Sequence, residues 1–81
     1  MPDHEVLAIS AIAHIASDEN LLGRFIDLSG LDVPQLRSGL TDAGTQRAAL
    51  EFLAAHEPDL IRCAEVLLVD PADLIRARDA L

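Results

Sequence analysis

The chain has 81 residues and a formal charge of −8, because fourteen acidic residues outnumber six arginines and lysine is absent. A chain this short forms one domain at most. The charge argues against binding of nucleic acid or of an anionic membrane, since both are recognised through basic faces. No apolar stretch approaches the roughly 20 residues that span a bilayer. The N-terminal segment lacks the basic residues of a signal peptide, and the single cysteine, Cys63, fits a reducing compartment, so we expect a cytoplasmic protein.

The composition favours helices over sheets. Thirteen alanines and fourteen leucines make up a third of the chain, whereas Trp and Tyr are absent and only Phe25 and Phe52 are aromatic. Alanine and leucine are strong helix formers, and strands prefer aromatic and β-branched residues. We therefore expect an all-α protein.

The first two predicted helices follow each other closely. Asp3 caps the first helix, which ends near Ala16 and has an apolar stripe of three- and four-residue spacing, formed by Leu7, Ala8, Ala11, Ile12 and Ile15. Ser17 caps the second helix, and Gly30 ends it in the left-handed conformation. The apolar residues predicted inside the second helix are Leu21, Leu22, Phe25, Ile26 and Leu28.

Two further helices are predicted in the middle of the chain. Asp32 caps a short third helix, with a proline in its first turn and Gln35 at the capping-box position, and Gly39 ends it. Thr41 or Asp42 opens the fourth helix, whose apolar residues are Ala48, Ala49, Phe52 and Leu53.

The last two predicted helices begin at acid-proline sequences. Glu57-Pro58-Asp59 starts the fifth, with apolar residues at Leu60, Ile61, Cys63, Ala64, Leu67 and Leu68. Asp70-Pro71 starts the sixth, which contains Leu74, Ile75 and Ala77 and runs close to the C-terminus.

An internal repeat emerges when the sequence is shifted by 38 residues. Glu19 then aligns with Glu57, Arg24 with Arg62, and Asp32 with Asp70, and identical matches also occur at Ala11, Ala16, Leu22 and Leu36. The shared order of arginine, acid, apolar pair, aspartate cap and a leucine four residues after the cap favours two copies of a three-helix unit, although two Leu/Ala-rich helices can also align by chance. One copy is too small to bury a core alone, so we expect the two to pack face to face.

The acidic residues have local explanations. Ten of the fourteen fall at helix caps or in first turns, where the helix dipole stabilises an anion. The other four lie one helical turn after an arginine, in the predicted pairs Arg24 with Asp27, Arg47 with Glu51, Arg62 with Glu65, and Arg76 with Asp79. No carboxylate requires a ligand to explain it.

Candidate catalytic and metal-binding residues form no known motif. The histidines His4, His14 and His56 lack the spacing of metal ligands, and Cys63 lies on an apolar stripe without a histidine base placed to activate it. No serine has a nucleophile-elbow context, and no glycine-rich phosphate loop occurs. We therefore predict no enzymatic activity, no metal, no cofactor and no small-molecule ligand.

Several stretches resemble a known family. The segment 21–31, which contains the dipeptide Arg24-Phe25, together with Asp32, Leu36 and the later run 51–60, is similar to short alpha-proteobacterial proteins grouped as domain of unknown function 3572. The resemblance extends over nearly the whole chain. It implies a bacterial cytoplasmic setting and assigns no site residues.

These observations predict one domain over residues 1–81, an all-α bundle of five to six short helices in two pseudo-repeats at about 4–39 and 42–79. The leading hypothesis for function is a small protein–protein interaction module, with self-association as one form. Its candidate partner face consists of apolar residues outside the predicted stripes, namely Val6, Ile9, Leu40 and Leu81. The alternative is an acidic mimic that occupies the basic groove of a nucleic-acid-binding protein. An enzyme is the third hypothesis.

Overall fold

The computed structural model describes residues 3–81, so Met1 and Pro2 of the predicted domain lie outside the described residues. This part of the chain forms six helices and no strand, as the all-α prediction requires. The helices are α1 (His4–Ala16), α2 (Glu19–Ser29), α3 (Val33–Ser38), α4 (Ala43–Ala54), α5 (Glu57–Leu67) and α6 (Pro71–Asp79).

Aspartate side chains cap the first four helices by accepting hydrogen bonds from backbone N–H groups of the first turn; the caps are Asp3, Asp18, Asp32 and Asp42. The caps Asp3 and Asp32 were predicted, Asp42 was one of two candidates with Thr41, and the cap of α2 was predicted wrongly as Ser17. Ser17 instead closes α1, because its hydroxyl donates to the carbonyl oxygen of His14 at 2.7 Å. At α3, Gln35 completes a capping box by accepting the N–H of Asp32 at 2.9 Å.

The core is centred on α1 and α4, which pack against each other and are both covered by α6. All five residues of the predicted stripe of α1 are buried, which confirms that prediction. Each other helix adds at least one buried apolar side chain, including Phe25, Leu36, Leu53, Leu60 and Leu74. The Cα radius of gyration is 11.1 Å, close to the roughly 12 Å expected of a folded chain of this length.

Three apolar residues of the predicted helices are exposed at the surface, and one of them, Leu68, also lies just beyond the end of α5 rather than inside it. Leu28 near the end of α2 is 77% exposed, Ile61 of α5 is 40% exposed, and Leu68 after α5 is 91% exposed. The core reaches only one face of each outer helix, so residues on the opposite face remain in solvent. The apolar face of α5 that packs inward is narrower than its sequence indicated, and it comprises Leu60, Cys63 and Ala64 with the half-buried Leu67.

The helix boundaries follow the 38-residue spacing of the sequence. Both ends of α5 lie 38 residues after those of α2, and α6 begins 38 residues after α3. The backbone after α2 resembles the backbone after α5, since Gly30 and Leu68 both adopt the left-handed conformation, with φ of 76° and 59°. This conformation is sterically unfavourable for leucine but not for glycine.

The two predicted units are not equivalent in packing. Helix α6 packs against α1, α4 and α5, whereas its counterpart α3 is shorter and buries only Leu36. A shallow groove consequently remains between α1 and α3, with a volume of about 220 Å³. It is lined mainly by apolar side chains, among them Ile12, Val33 and Leu40.

Alanine substitutions at two glycines should change the stability of the fold in opposite directions. A Cβ at the buried Gly39 would lie 2.5 Å from the Thr45 hydroxyl oxygen and 3.0 Å from the Gln35 carbonyl oxygen, so Gly39→Ala should destabilise the fold by about 1–3 kcal/mol. A Cβ at Gly23, inside α2, meets no atom within 4 Å. Gly23→Ala should therefore stabilise the protein by about 0.5–1 kcal/mol. Urea unfolding measures both, and equal effects of the two substitutions would contradict the packing at Gly39.

Candidate interaction surface

The dipeptide Arg24-Phe25 joins α2 to two neighbouring helices. The ring of Phe25 packs edge to face on Phe52 of α4, with 5.2 Å between the ring centroids. The Arg24 guanidinium lies over the same Phe52 ring, 5.5 Å from its centroid, and pairs with the carboxylate of Asp59 on α5. These contacts give both residues of the dipeptide a structural role.

Asp59 is held by two cationic or hydrogen-bonding partners. Besides Arg24, the Nδ1 atom of His56 lies 2.8 Å from its carboxylate. Partial burial raises the pKa of Asp59, but the hydrogen bonds and charges of Arg24 and His56 outweigh burial and leave the pKa below its usual value.

The lowered pKa of Asp59 predicts a loss of stability in acid. An aspartate whose pKa is lower in the folded state stabilises the fold above its unfolded pKa of about 4, and this contribution disappears as the pH falls through the folded pKa. Asp59→Asn should therefore lower the free energy of unfolding at pH 7 and flatten its pH dependence below about pH 4. Urea unfolding at several pH values measures this, and an unchanged pH slope in the variant would contradict the prediction.

The arginine pairs differ from the predicted ones, except for Arg47 and Glu51, whose side chains lie 2.9 Å apart. Arg24 reaches Asp59 across the helix interface rather than Asp27 on its own helix. Arg76 pairs with the preceding Asp73, and Asp79 pairs with its neighbour Arg78. Arg62 and Glu65, which were predicted to pair, form no ion pair with each other in the described part of the chain. An arginine that precedes its acid by three residues is poorly oriented for pairing.

The predicted partner face is spread over three parts of the structure. Val6 on α1 is 59% exposed, whereas Ile9 on the same helix is half-buried. Leu40, which follows α3, and Leu81, at the C-terminus, are half-buried and pack against the core. Only Val6 therefore presents most of its side chain to solvent.

A larger exposed surface lies on the side of α5 that faces away from the core. We call it the outer face of α5 and define it by Pro58, Ile61, Arg62, Glu65 and Val66, which border one shallow depression. These positions follow a spacing of three and four residues and so lie on one side of the helix. Val66 is 60% exposed, and Leu68 follows just beyond the helix end.

This surface was not predicted from the sequence, because Ile61 and Leu68 were counted among the apolar residues of the fifth helix and Val66 was not included in the partner face. The signal that could have revealed this surface is the width of the apolar pattern in α5, which has more apolar residues than one buried side can hold. Residues 60, 63, 64 and 67 already fill the side that packs inward, so the apolar residues Ile61 and Val66 lie outside it and border the same depression.

The residues considered for chemistry are separated from one another. His56 contacts Asp59, His14 borders a polar groove beside Asp18, and Cys63 is fully buried. Burial raises the pKa of the Cys63 thiol to about 11, which suppresses its reactivity. Within residues 3–81, no group of three or more His, Cys, Asp or Glu side chains is arranged to hold a metal ion. None of the helices in that range has the length and apolar character needed to cross a membrane.

The structure thus defines a small all-α bundle with an exposed, partly apolar helix face. Its sequence matches, over residues 2–81, the family described as "Protein of unknown function (DUF3572)". The chain belongs to this family, which confirms the resemblance seen around Arg24-Phe25. No curated protein and no solved structure shows significant similarity to it.

Proposed function

We propose that this protein is a small protein–protein interaction module and that it self-associates. The observation that supports the proposal is the outer face of α5, where the exposed Ile61 and Val66 border one shallow depression. Single exposed apolar residues are common on protein surfaces, but neighbouring ones on a single helix face are typical of interaction sites. The free and buried Cys63 supports a reducing, cytoplasmic setting for this function.

The size of the domain also favours association. A chain of 81 residues buries a smaller share of its apolar surface than a larger domain does. Pairing of two copies would bury part of what remains exposed. One helix face is smaller than a standard interface, so we expect a weak association with a dissociation constant in the range of tens to hundreds of micromolar, about −5 to −6 kcal/mol.

Sedimentation velocity from about 10 µM to 1 mM, at about 0.15 M salt, tests the self-association. We expect the weight-average mass to rise from that of the 8.7 kDa monomer toward that of a dimer as the concentration increases. The salt is needed because two chains of charge −8 repel each other at low ionic strength. A constant monomer mass over the whole range would contradict self-association.

The acidic-mimic hypothesis has less support. Four of the carboxylates that it would present to a basic partner, those of Asp3, Asp18, Asp32 and Asp42, accept backbone hydrogen bonds at helix starts. Capping explains their positions, and it was predicted from the sequence for Asp3 and Asp32 and, as one of two candidates, for Asp42. We therefore place the interaction module first.

A further inference from the structure

We propose, building on the proposed self-association, that two copies pair through the outer face of α5 in an antiparallel arrangement. In this pair, Arg62 of each copy lies opposite Glu65 of the partner subunit. The occupant of this surface is thus a second copy of the same chain, and the interface has two-fold symmetry.

The two charged groups are available for such a pair. Both Arg62 and Glu65 are exposed, and neither forms an ion pair with another group in the described part of the chain. They are three residues apart on α5, on the side opposite the buried Leu60, Cys63 and Ala64. Arg62 also borders the polar groove that contains Asp18 and Glu19, but its side chain is not within ion-pair distance of either.

The order of the charges selects the antiparallel orientation. A two-fold axis that crosses midway between positions 62 and 65 places Arg62 of each copy at the height of Glu65 of the partner subunit. The dimer therefore contains two equivalent Arg62–Glu65 contacts. The same axis places Ile61 at the height of Val66 of the partner subunit, so apolar side chains flank both ion pairs. A parallel pair would instead place Arg62 against Arg62 and Glu65 against Glu65, and like charges in contact disfavour association.

Charge reversal on one copy provides the test. Arg62→Glu makes this part of the face wholly acidic, and Glu65→Arg makes it wholly basic. We expect each variant alone to dimerise at least about tenfold more weakly than the natural protein. An equimolar mixture of the two variants should form a heterodimer, because every 62–65 contact is then between opposite charges. The double variant R62E/E65R should recover self-association.

Arg37→Glu is the matched control, because it changes the net charge as Arg62→Glu does but lies on α3, where the exposed Arg37 borders the groove between α1 and α3. It should leave dimerisation unchanged. All positions are exposed, so circular dichroism should show unchanged folding. Sedimentation velocity of each variant and of the mixture gives the readout.

The outcomes separate this inference from the proposed function. If the natural protein dimerises and the single variants at positions 62 and 65 still dimerise alone, self-association stands and the α5 interface is wrong. If Arg37→Glu is the variant that dissociates, the interface lies at the groove between α1 and α3 and the inference is overturned. A natural protein that stays monomeric contradicts both proposals.

Discussion

Replacing Phe25 by alanine is expected to lower the free energy of unfolding by about 3–5 kcal/mol. Phe25 is among the largest fully buried side chains, and its ring packs edge to face on Phe52. The substitution removes apolar burial and the aromatic contact, and it leaves a cavity between α2 and α4. A chain of 81 residues has a total stability of about 4–12 kcal/mol, so the substitution removes at least a quarter of that stability and, at the lower end of the range, unfolds the variant.

Leu28→Ala on the same helix is the matched control. Leu28 is 77% exposed, and its truncation should change the stability by no more than about 0.5 kcal/mol. Phe25→Leu should fall between the two, because leucine fills part of the cavity. Urea unfolding followed by circular dichroism measures all three. Similar losses for Phe25→Ala and Leu28→Ala would contradict the packing of α2.

Replacing Gln46 by methionine is expected to cost about 1–3 kcal/mol, even though methionine has nearly the same shape. Gln46 is only 2% exposed, and its Nε2 atom donates to the carbonyl oxygen of Leu40 at 2.9 Å. This bond ties the segment after α3 to α4. The substitution leaves the Leu40 carbonyl oxygen without its donor in a partly buried place, where water compensates poorly.

The chain has one other glutamine, Gln35, which provides the comparison. Gln35 is exposed and accepts the Asp32 N–H in the capping box of α3. Gln35→Met should cost less than about 1 kcal/mol, since water can replace the lost bond. Thermal unfolding of both variants measures the difference. A Gln46→Met protein as stable as the natural one would show that this buried hydrogen bond contributes nothing to stability.

Helix positions were largely predictable because the interactions that start and stop helices are local. Asp3, Asp32 and Asp42 act on N–H groups two or three residues away, so the sequence around each contains most of the information. The error at α2 has the same local origin. Ser17 and Asp18 are adjacent and both can cap a helix, and the choice between them depends on where α1 ends.

The candidate site was harder to predict because it depends on which helix faces remain uncovered. Residue spacing places Ile61 and Val66 on α5 but does not say how wide a strip the rest of the bundle covers. The difference between α3 and α6 is of the same kind, since similar starts lead to different packing. The pairing of Arg24 with Asp59 joins residues 35 positions apart, which no local spacing indicates.

The negative charge of the chain has a clearer meaning in the structure. Carboxylates at four helix starts cap the backbone, and others pair with Arg24, Arg47, Arg76 and Arg78. Asp27 and Glu65 form no ion pair within residues 3–81. Glu65 lies beside Arg62 on the exposed outer face of α5, and the proposed dimer would pair the two residues between subunits.

A dilution series followed by ¹⁵N–¹H NMR tests the interaction surface most directly, because every backbone amide reports separately. Between about 1 mM and 10 µM, we predict chemical-shift changes concentrated in residues 58–68, with amides near Leu36 and Leu40 unchanged. Concentration-dependent shifts centred on the groove between α1 and α3, or no shifts at all, would contradict self-association through α5.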